Sequence, residues 1–355
     1  MNFSELTFDR DGLVAAIACE DADFDAALRE EAYRVKAATV GPAVYLRGLI
    51  EISNICVKNC RYCGIRRDIR CRRYELSDEE VLAAARTALN HRFGSVVIQG
   101  GERTDAAFIR RITRLLKHIK ALGPATEEGQ PLGITLSLGE QPREVYEEWF
   151  DAGAHRYLLR IESSNPDLYR RIHPEDPLHS YDRRRRALCD LKEIGYQAGT
   201  GAMIGLPFQT AEDLADDLLF YKDFDAPMVG MGPYNPHPET PLTLQGMPYP
   251  PAERRLSLGL KMIALLRLLM PDINIAAATA LEVLDPHGRE KGILSGANVV
   301  MPNLTPEGQL VHYNLYDRKN LLRTGPILSP GADPSGKDIP VGYGSWGDSK
   351  HFQKH

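Results

Sequence analysis

Three of the six cysteines in this 355-residue chain fall within eight residues, as Cys56-x3-Cys60-x2-Cys63. Soft thiolates at this spacing suit an iron–sulfur cluster. A cubane has four irons, so three protein ligands leave one iron open for another ligand. A structural zinc site needs four ligands closed around one ion. Cys71 is the nearest fourth cysteine, but it follows Cys63 by eight residues without a paired spacing. Cys60-x2-Cys63 as a redox pair lacks a thioredoxin-like unit around it. Cys19 and Cys189 lie far away, and no cysteine follows Cys189, so one cluster is expected.

Other chemistry-bearing residues recur at strand ends. Gly100-Gly101-Glu102 joins two glycines, which let backbone approach a ligand closely, to a carboxylate that can accept from an ammonium group. Arg160 and Glu162 flank Ile161, and period-two alternation places both charges on one side of a strand. Buried there, they must pair or hold a ligand. Alternation also turns Arg156 inward. His237, between two prolines, reads as a loop hydrogen-bonding group. The runs Arg70 to Arg73 and Arg183 to Arg186 read as solvated faces.

These residues need a scaffold, and the chain alternates strands with helices. Strands are expected at 46–52, 95–99, 133–137, 155–161, 197–204 and 228–231, with short ones near 274–277 and 298–301. Helices are expected at 20–38, from the Ser77-Asp78-Glu79-Glu80 capping box to about Asn90, at 106–122, from Pro142 to Asp151, at 166–172, 181–194, 211–223 and 252–269. About eight such units imply parallel strands with right-handed crossovers. The expected fold is a (β/α)8 TIM-type barrel, a six-unit partial barrel being the alternative. An N-terminal helical segment (1–42) precedes the barrel (43–316). A Gly-, Pro- and Ser-rich C-terminal extension (317–355) is expected to lie extended against the barrel or a partner. The cysteines then follow the first strand, at the C-terminal face where such barrels build their sites.

Composition bounds the rest. Hydrophobic content of 43% and charged content of 26% are those of a globular protein, and a net charge of −5 argues against a general nucleic-acid or membrane-surface binder. The start lacks a basic and an apolar signal region. The longest apolar stretch, Leu256 to Met270, carries Lys261 and Arg267 and is too short to span a bilayer. A cytoplasmic location is expected, where clustered cysteines bind metal rather than form disulfides.

Cys-x3-Cys-x2-Cys with Tyr62 before the last cysteine resembles the signature of the radical S-adenosylmethionine (SAM) superfamily. Ile52-Ser53-Asn54, Tyr62 to Asp68, Thr135 to Glu140, Arg156 to Arg160, Ile204 to Pro207, Gly230 to Pro233, Pro236-His237-Pro238 and Gly296 to Asn303 are further similar to the HydE family of [FeFe]-hydrogenase maturases. The resemblance covers residues 45–316. Methylornithine synthase is similar too, and biotin synthase more distantly.

The resemblance implies a single [4Fe–4S] cluster on Cys56, Cys60 and Cys63, and reductive cleavage of SAM to a 5′-deoxyadenosyl radical. It implies SAM contacts at Tyr62, Gly100, Gly101, Glu102, Glu162, Arg184 and Met203. Arg184 is the register match to an arginine at the SAM carboxylate. Arg156, Thr135, Ser137, Thr279 and Tyr316 would line a cavity holding a small carboxylate-bearing substrate. In HydE that substrate is an iron complex bearing cysteine, CO and cyanide, supplied by a partner maturase; an electron donor is a further expected partner. Ile161 and Ala278 depart from the His and Thr expected of this family. They leave open a carbon-skeleton mutase akin to methylornithine synthase. A non-catalytic iron–sulfur carrier is the reading from a different class.

Overall fold

The computed structural model describes residues 3–317 and 338–354, together with Leu328, Gly331 and Gly336. Two helices lead, α1 (Arg10–Ala18) and α2 (Ala22–Thr39). The sequence reading expected only the second. Asp9 caps α1 by accepting from the Gly12 amide, and Asp21 caps α2 by accepting from that of Asp23. The alternation then begins with β1 (Tyr45–Ser53), α3 (Asp78–Asn90), β2 (Ser95–Gly100), α4 (Ala106–Lys120), β3 (Gly133–Ser137) and α5 (Arg143–Asp151). It continues with β4 (Arg156–Leu158), α6 (Pro166–Ile172), α7 (Tyr181–Ile194), β5 (Gln197–Thr200), β6 (Met203–Ile204) and α8 (Ala211–Phe224). β7 (Met228–Val229), β8 (Gly232–Pro233), α9 (Pro241–Leu244), α10 (Ala252–Leu269), β9 (Asn274–Ile275), α11 (Thr279–Leu284), α12 (Gly288–Leu294) and β10 (Val299–Val300) follow.

Eight strands pair in parallel in the order β10-β1-β2-β3-β4-β5-β7-β9, and an Ala276–Val299 bridge joins the two edges. The ring is thus all but closed, a (β/α)8 barrel. β6 and β8 form a separate parallel pair beyond the ends of β5 and β7. β1 is buried along nearly its whole length, as a strand covered on both faces must be. The helices seal the outside through apolar stripes. On α4, Phe108, Ile112, Leu115, Leu116 and Ile119 recur at helical spacing and are all buried. Burying each contributes about 1.5–3 kcal/mol. α10 is buried along most of its length because it lies against α2 as well as the barrel, and Lys261 within it pairs with Asp25 of α2 at 2.9 Å.

The C-terminal segment 338–354 crosses the face formed by the strands' first residues. Val341 bridges Val44, which precedes β1. The Gly347 carbonyl accepts from Arg47 (3.1 Å) and from Asn274 (2.8 Å). Trp346 donates to the Pro131 carbonyl at 2.7 Å and packs on His155 with ring centroids 4.4 Å apart. Asp348 pairs with Arg156 at 2.6 Å and with His155 at 3.3 Å. The segment therefore floors the barrel on the side opposite the cysteines. Most of the expected extension before it, 318–337, lies outside the described residues.

Candidate active site

The cysteines sit in the excursion between β1 and α3. Arg73 holds this loop in shape by donating to the carbonyls of Asn54 (2.6 Å), Ile65 (2.8 Å) and Arg66 (2.6 Å). The Asn54 side chain accepts from the Tyr74 amide and donates to the carbonyls of Arg72 and His312, each at 2.8 Å. Gly101 has to be glycine, because a β-carbon there would run into the Ile55 carbonyl and the Cys56 side chain. That close approach lets the Glu102 amide donate to Cys56 Sγ at 3.3 Å.

Burial pushes all three thiols up, Cys63 to about 12. As bare thiols they are neutral, and a positive metal centre is what would draw them to thiolate. Among the described residues no three His, Cys, Asp or Glu side chains converge on one metal-ion position, and Cys71 is exposed. Cys56, Cys60 and Cys63 line one cavity, and three thiols are a donor set whose chemistry fits an iron–sulfur cluster.

Beside the cysteines lies a buried charge cluster that the sequence reading only half found. Lys58, between the first two cysteines, sits 3.2 Å from both Glu102 and Glu140. Glu140 also takes Arg184 at 2.6 Å and Arg183 at 3.2 Å. Arg184 is 8% exposed and lines the cavity, whereas the Arg183 side chain is 41% exposed. Burial pushes Glu102 up, against Lys58 and Arg184; burial also works on Glu140, but Arg184 and Lys58 hold it below the usual carboxylate range. A β-carbon at Gly139 (φ +78°) would fall inside the Glu102 carboxylate. Lys58 and Glu140 were missed. The one sequence signal was their place, Lys58 within the cysteine spacing and Glu140 at the end of the Thr135 to Glu140 stretch.

β4 is shorter than expected, ending at Leu158, because the chain leaves the sheet before Glu162. Glu162 has φ +66°, a left-handed backbone that is costly away from glycine and collects at functional sites. It still meets Arg160, at 3.1 Å. Ile161 is fully buried. Met203 lies in β6, where its amide donates to the Glu162 carbonyl at 3.3 Å. The Tyr62 hydroxyl lies 3.4 Å from His173 Nε2. His237 keeps its bland reading, accepting from the Glu239 amide at 3.2 Å.

One cavity of about 300 Å³ joins these groups. Cys56, Cys60, Cys63, Tyr62, Gly100, Gly101, Glu102, Glu162, Arg184 and Met203 line it, and so do Ser137, Thr279 and Tyr316. Arg160, Glu51, Gln99 and Asn235 add polar lining that had not been assigned. Thr135 and Arg156 fall outside. Arg156 does point inward, but from the first residue of β4, at the floor; its Nε donates to Thr135 Oγ1 at 3.0 Å and its charge is taken by Asp348. The expectation that these two residues meet substrate is corrected: the guanidiniums that line the cavity are those of Arg160 and Arg184.

A closed parallel barrel with a three-cysteine loop at its C-terminal mouth, opening into a charged and apolar cavity, defines a class of cofactor-dependent radical enzymes. The chain belongs to the radical SAM superfamily, which it matches over residues 50–221, and within it to the HydE family. It is 44% identical over 314 residues to the [FeFe] hydrogenase maturase subunit HydE of Thermotoga maritima, covering 88% of this chain and 85% of that one. It is 26% identical to 3-methylornithine synthase of Methanosarcina barkeri, covering 82% and 78%. The crystal structure of methylornithine synthase (PylB) superposes with a TM-score of 0.70 at 22% identity, covering 95% and 91%, and so shares the fold.

Proposed function

We propose that this chain is a radical SAM enzyme of [FeFe]-hydrogenase maturation, acting on a small carboxylate-bearing substrate inside its barrel. The observation that carries this is one cavity lined at its mouth by Cys56, Cys60 and Cys63 and further along by Ser137, Thr279 and Tyr316. The 44% identity to a HydE directs the choice among radical SAM reactions.

In this reading the three cysteines hold a [4Fe–4S] cluster, which with SAM supplies a 5′-deoxyadenosyl radical when both are bound. Glu102 and Glu162 accept from the SAM ammonium and ribose. Arg184 donates to the SAM carboxylate as a planar fork. Lys58 and Glu140 keep that group of charges compensated in a site where an unpaired charge is costly. Tyr62 and Met203 flank the adenine. Arg160 anchors the substrate carboxylate. Leu49, Leu158 and Met301 line the cavity with apolar surface, which excludes water from a reactive intermediate.

The test is maturation of apo-[FeFe]-hydrogenase in a cell-free mixture of partner maturases, with this chain as the only HydE-type component. The expected outcome is active hydrogenase. An inactive hydrogenase, together with formation of 3-methylornithine by the same preparation, assigns the chain to the mutases instead.

A further inference from the structure

Among the described residues that line the cavity, Glu162 alone combines a side chain with a left-handed backbone, φ +66°. Such a backbone persists only where the surrounding structure over-determines it. On one side the hold is clear: the Glu162 amide donates to the Gly201 carbonyl at 3.0 Å, and its carbonyl accepts from the Met203 amide at 3.3 Å. The chain that follows Glu162 is held from α8. We propose that Asp217 of α8 is a positioning residue for SAM, fixing the turn after Glu162 so that the Glu162 carboxylate stays in the cavity. The proposal rests on Glu162 as a SAM contact.

Asp217 is fully buried, and its carboxylate accepts from the Ser164 amide at 2.6 Å, short for an amide donor, as bonds to carboxylates are. One turn earlier on the same side of α8, Asp213 accepts from the Asn165 side chain at 2.7 Å. The Tyr181 hydroxyl of α7 donates to the Ser164 carbonyl at 2.6 Å. Asn165 in turn caps α6 by accepting from the Asp167 amide at 2.8 Å. Both backbone polar groups of Ser164 are thus taken by side chains from two helices. That leaves the turn no slack with which Glu162 could relax out of its left-handed conformation. The arrangement exceeds what a core needs. Asp217 Oδ2 and the Tyr221 hydroxyl, one turn further along α8, are buried with no hydrogen-bond partner among the described residues. Burying a carboxylate in this way is costly. An apolar side chain would fill the space at less cost, but it would leave the Ser164 amide unbonded. Asp217 does not line the cavity, so its effect reaches SAM through Glu162.

The test measures SAM affinity of the reconstituted holoprotein by anaerobic titration calorimetry, with iron and sulfide content as the control for an intact site. Asp217→Leu should weaken SAM binding by ~10-fold, the worth of one hydrogen bond, and keep the wild-type iron content. Asp217→Asn, which can still accept from the Ser164 amide, should recover affinity to within about threefold of wild type. Leu218→Val, which loosens the core at the adjacent buried residue, should bind SAM as wild type does. In a Glu162→Ala background, Asp217→Leu should add no further loss, because no carboxylate is left to position. If Asp217→Leu yields no cluster-loaded protein, Asp217→Ala carries the same expectations. Wild-type affinity in Asp217→Leu, no recovery in Asp217→Asn, an equal loss in Leu218→Val, or additive losses in Glu162→Ala/Asp217→Leu would overturn the proposal. Wild-type affinity in Glu162→Ala itself would instead contradict the reading of Glu162 as a SAM contact, and the proposal with it.

Discussion

Glu102 joins the cysteine loop to the buried charge cluster. Its amide reaches Cys56 Sγ, its carboxylate accepts from the Glu140 amide at 3.0 Å, and Lys58 sits beside it. Glu102→Gln should leave the cluster in place, because the amide bond to sulfur survives, and should weaken SAM binding by ~10- to 100-fold, the worth of one charge-assisted hydrogen bond. Titration calorimetry alongside iron and sulfide analysis separates the two effects. Arg160 and Arg156 should part company. Arg160→Leu should keep SAM cleavage but uncouple it from substrate turnover, read as 5′-deoxyadenosine without product. Arg156→Leu should act on stability, costing about 2–4 kcal/mol in denaturant unfolding. That is below the fully buried limit, because its partner Asp348 is 20% exposed. Arg156 was misplaced for a physical reason. Alternation tells which side of a strand a residue faces, but not its depth, and each residue moves the side chain by roughly 3.3 Å along the strand. Its partner lies 192 residues away, in a segment with no periodicity to read.

The C-terminal segment is the element with the clearest pH dependence. Burial holds His155 down at about 3 from its usual 6.5. Asp348 is buried too, but hydrogen bonding from His155 and the charge of Arg156 hold it below the usual 3.8. Both groups bind fewer protons folded than unfolded. Their stabilisation is therefore complete above pH 6.5 and is lost as pH falls, first through His155 and then through Asp348. Acidification from pH 6.5 toward 3 should release residues 338–354, seen as a change in Trp346 fluorescence, and Asp348→Asn should already show a weakened floor at neutral pH. Asp217 runs the other way. It is fully buried on α8 and accepts from the Ser164 amide at 2.6 Å, with burial raising it to about 7. Its contribution is present below about pH 4 and fades as pH rises toward 7, so Asp217→Asn should flatten stability across that window in thermal melts. The elements that the sequence made legible share one property: their signals are local. The capping box at Ser77 and Glu80 forms as written, and the runs in β1, β2 and β3 are buried strands. α1 was missed because it is short, and the floor because it is held by single long-range contacts.

At the scale of the whole molecule, the barrel separates two jobs by depth. The C-terminal ends of the strands carry the cysteines, the charge cluster and the cavity, while the N-terminal ends are spent on a floor of paired Arg156, His155 and Asp348. The spacing of the cysteines and their place after the first strand were enough to locate the mouth. What the side chains do around it was legible only where a residue's partner lay nearby in sequence. The central claim is that this mouth cleaves SAM. Anaerobically reconstituted, dithionite-reduced protein should therefore form 5′-deoxyadenosine from SAM, and Cys60→Ala should lose both the four-iron absorbance and that product. No 5′-deoxyadenosine from the cluster-loaded wild type, or a retained four-iron absorbance in Cys60→Ala, would contradict the account.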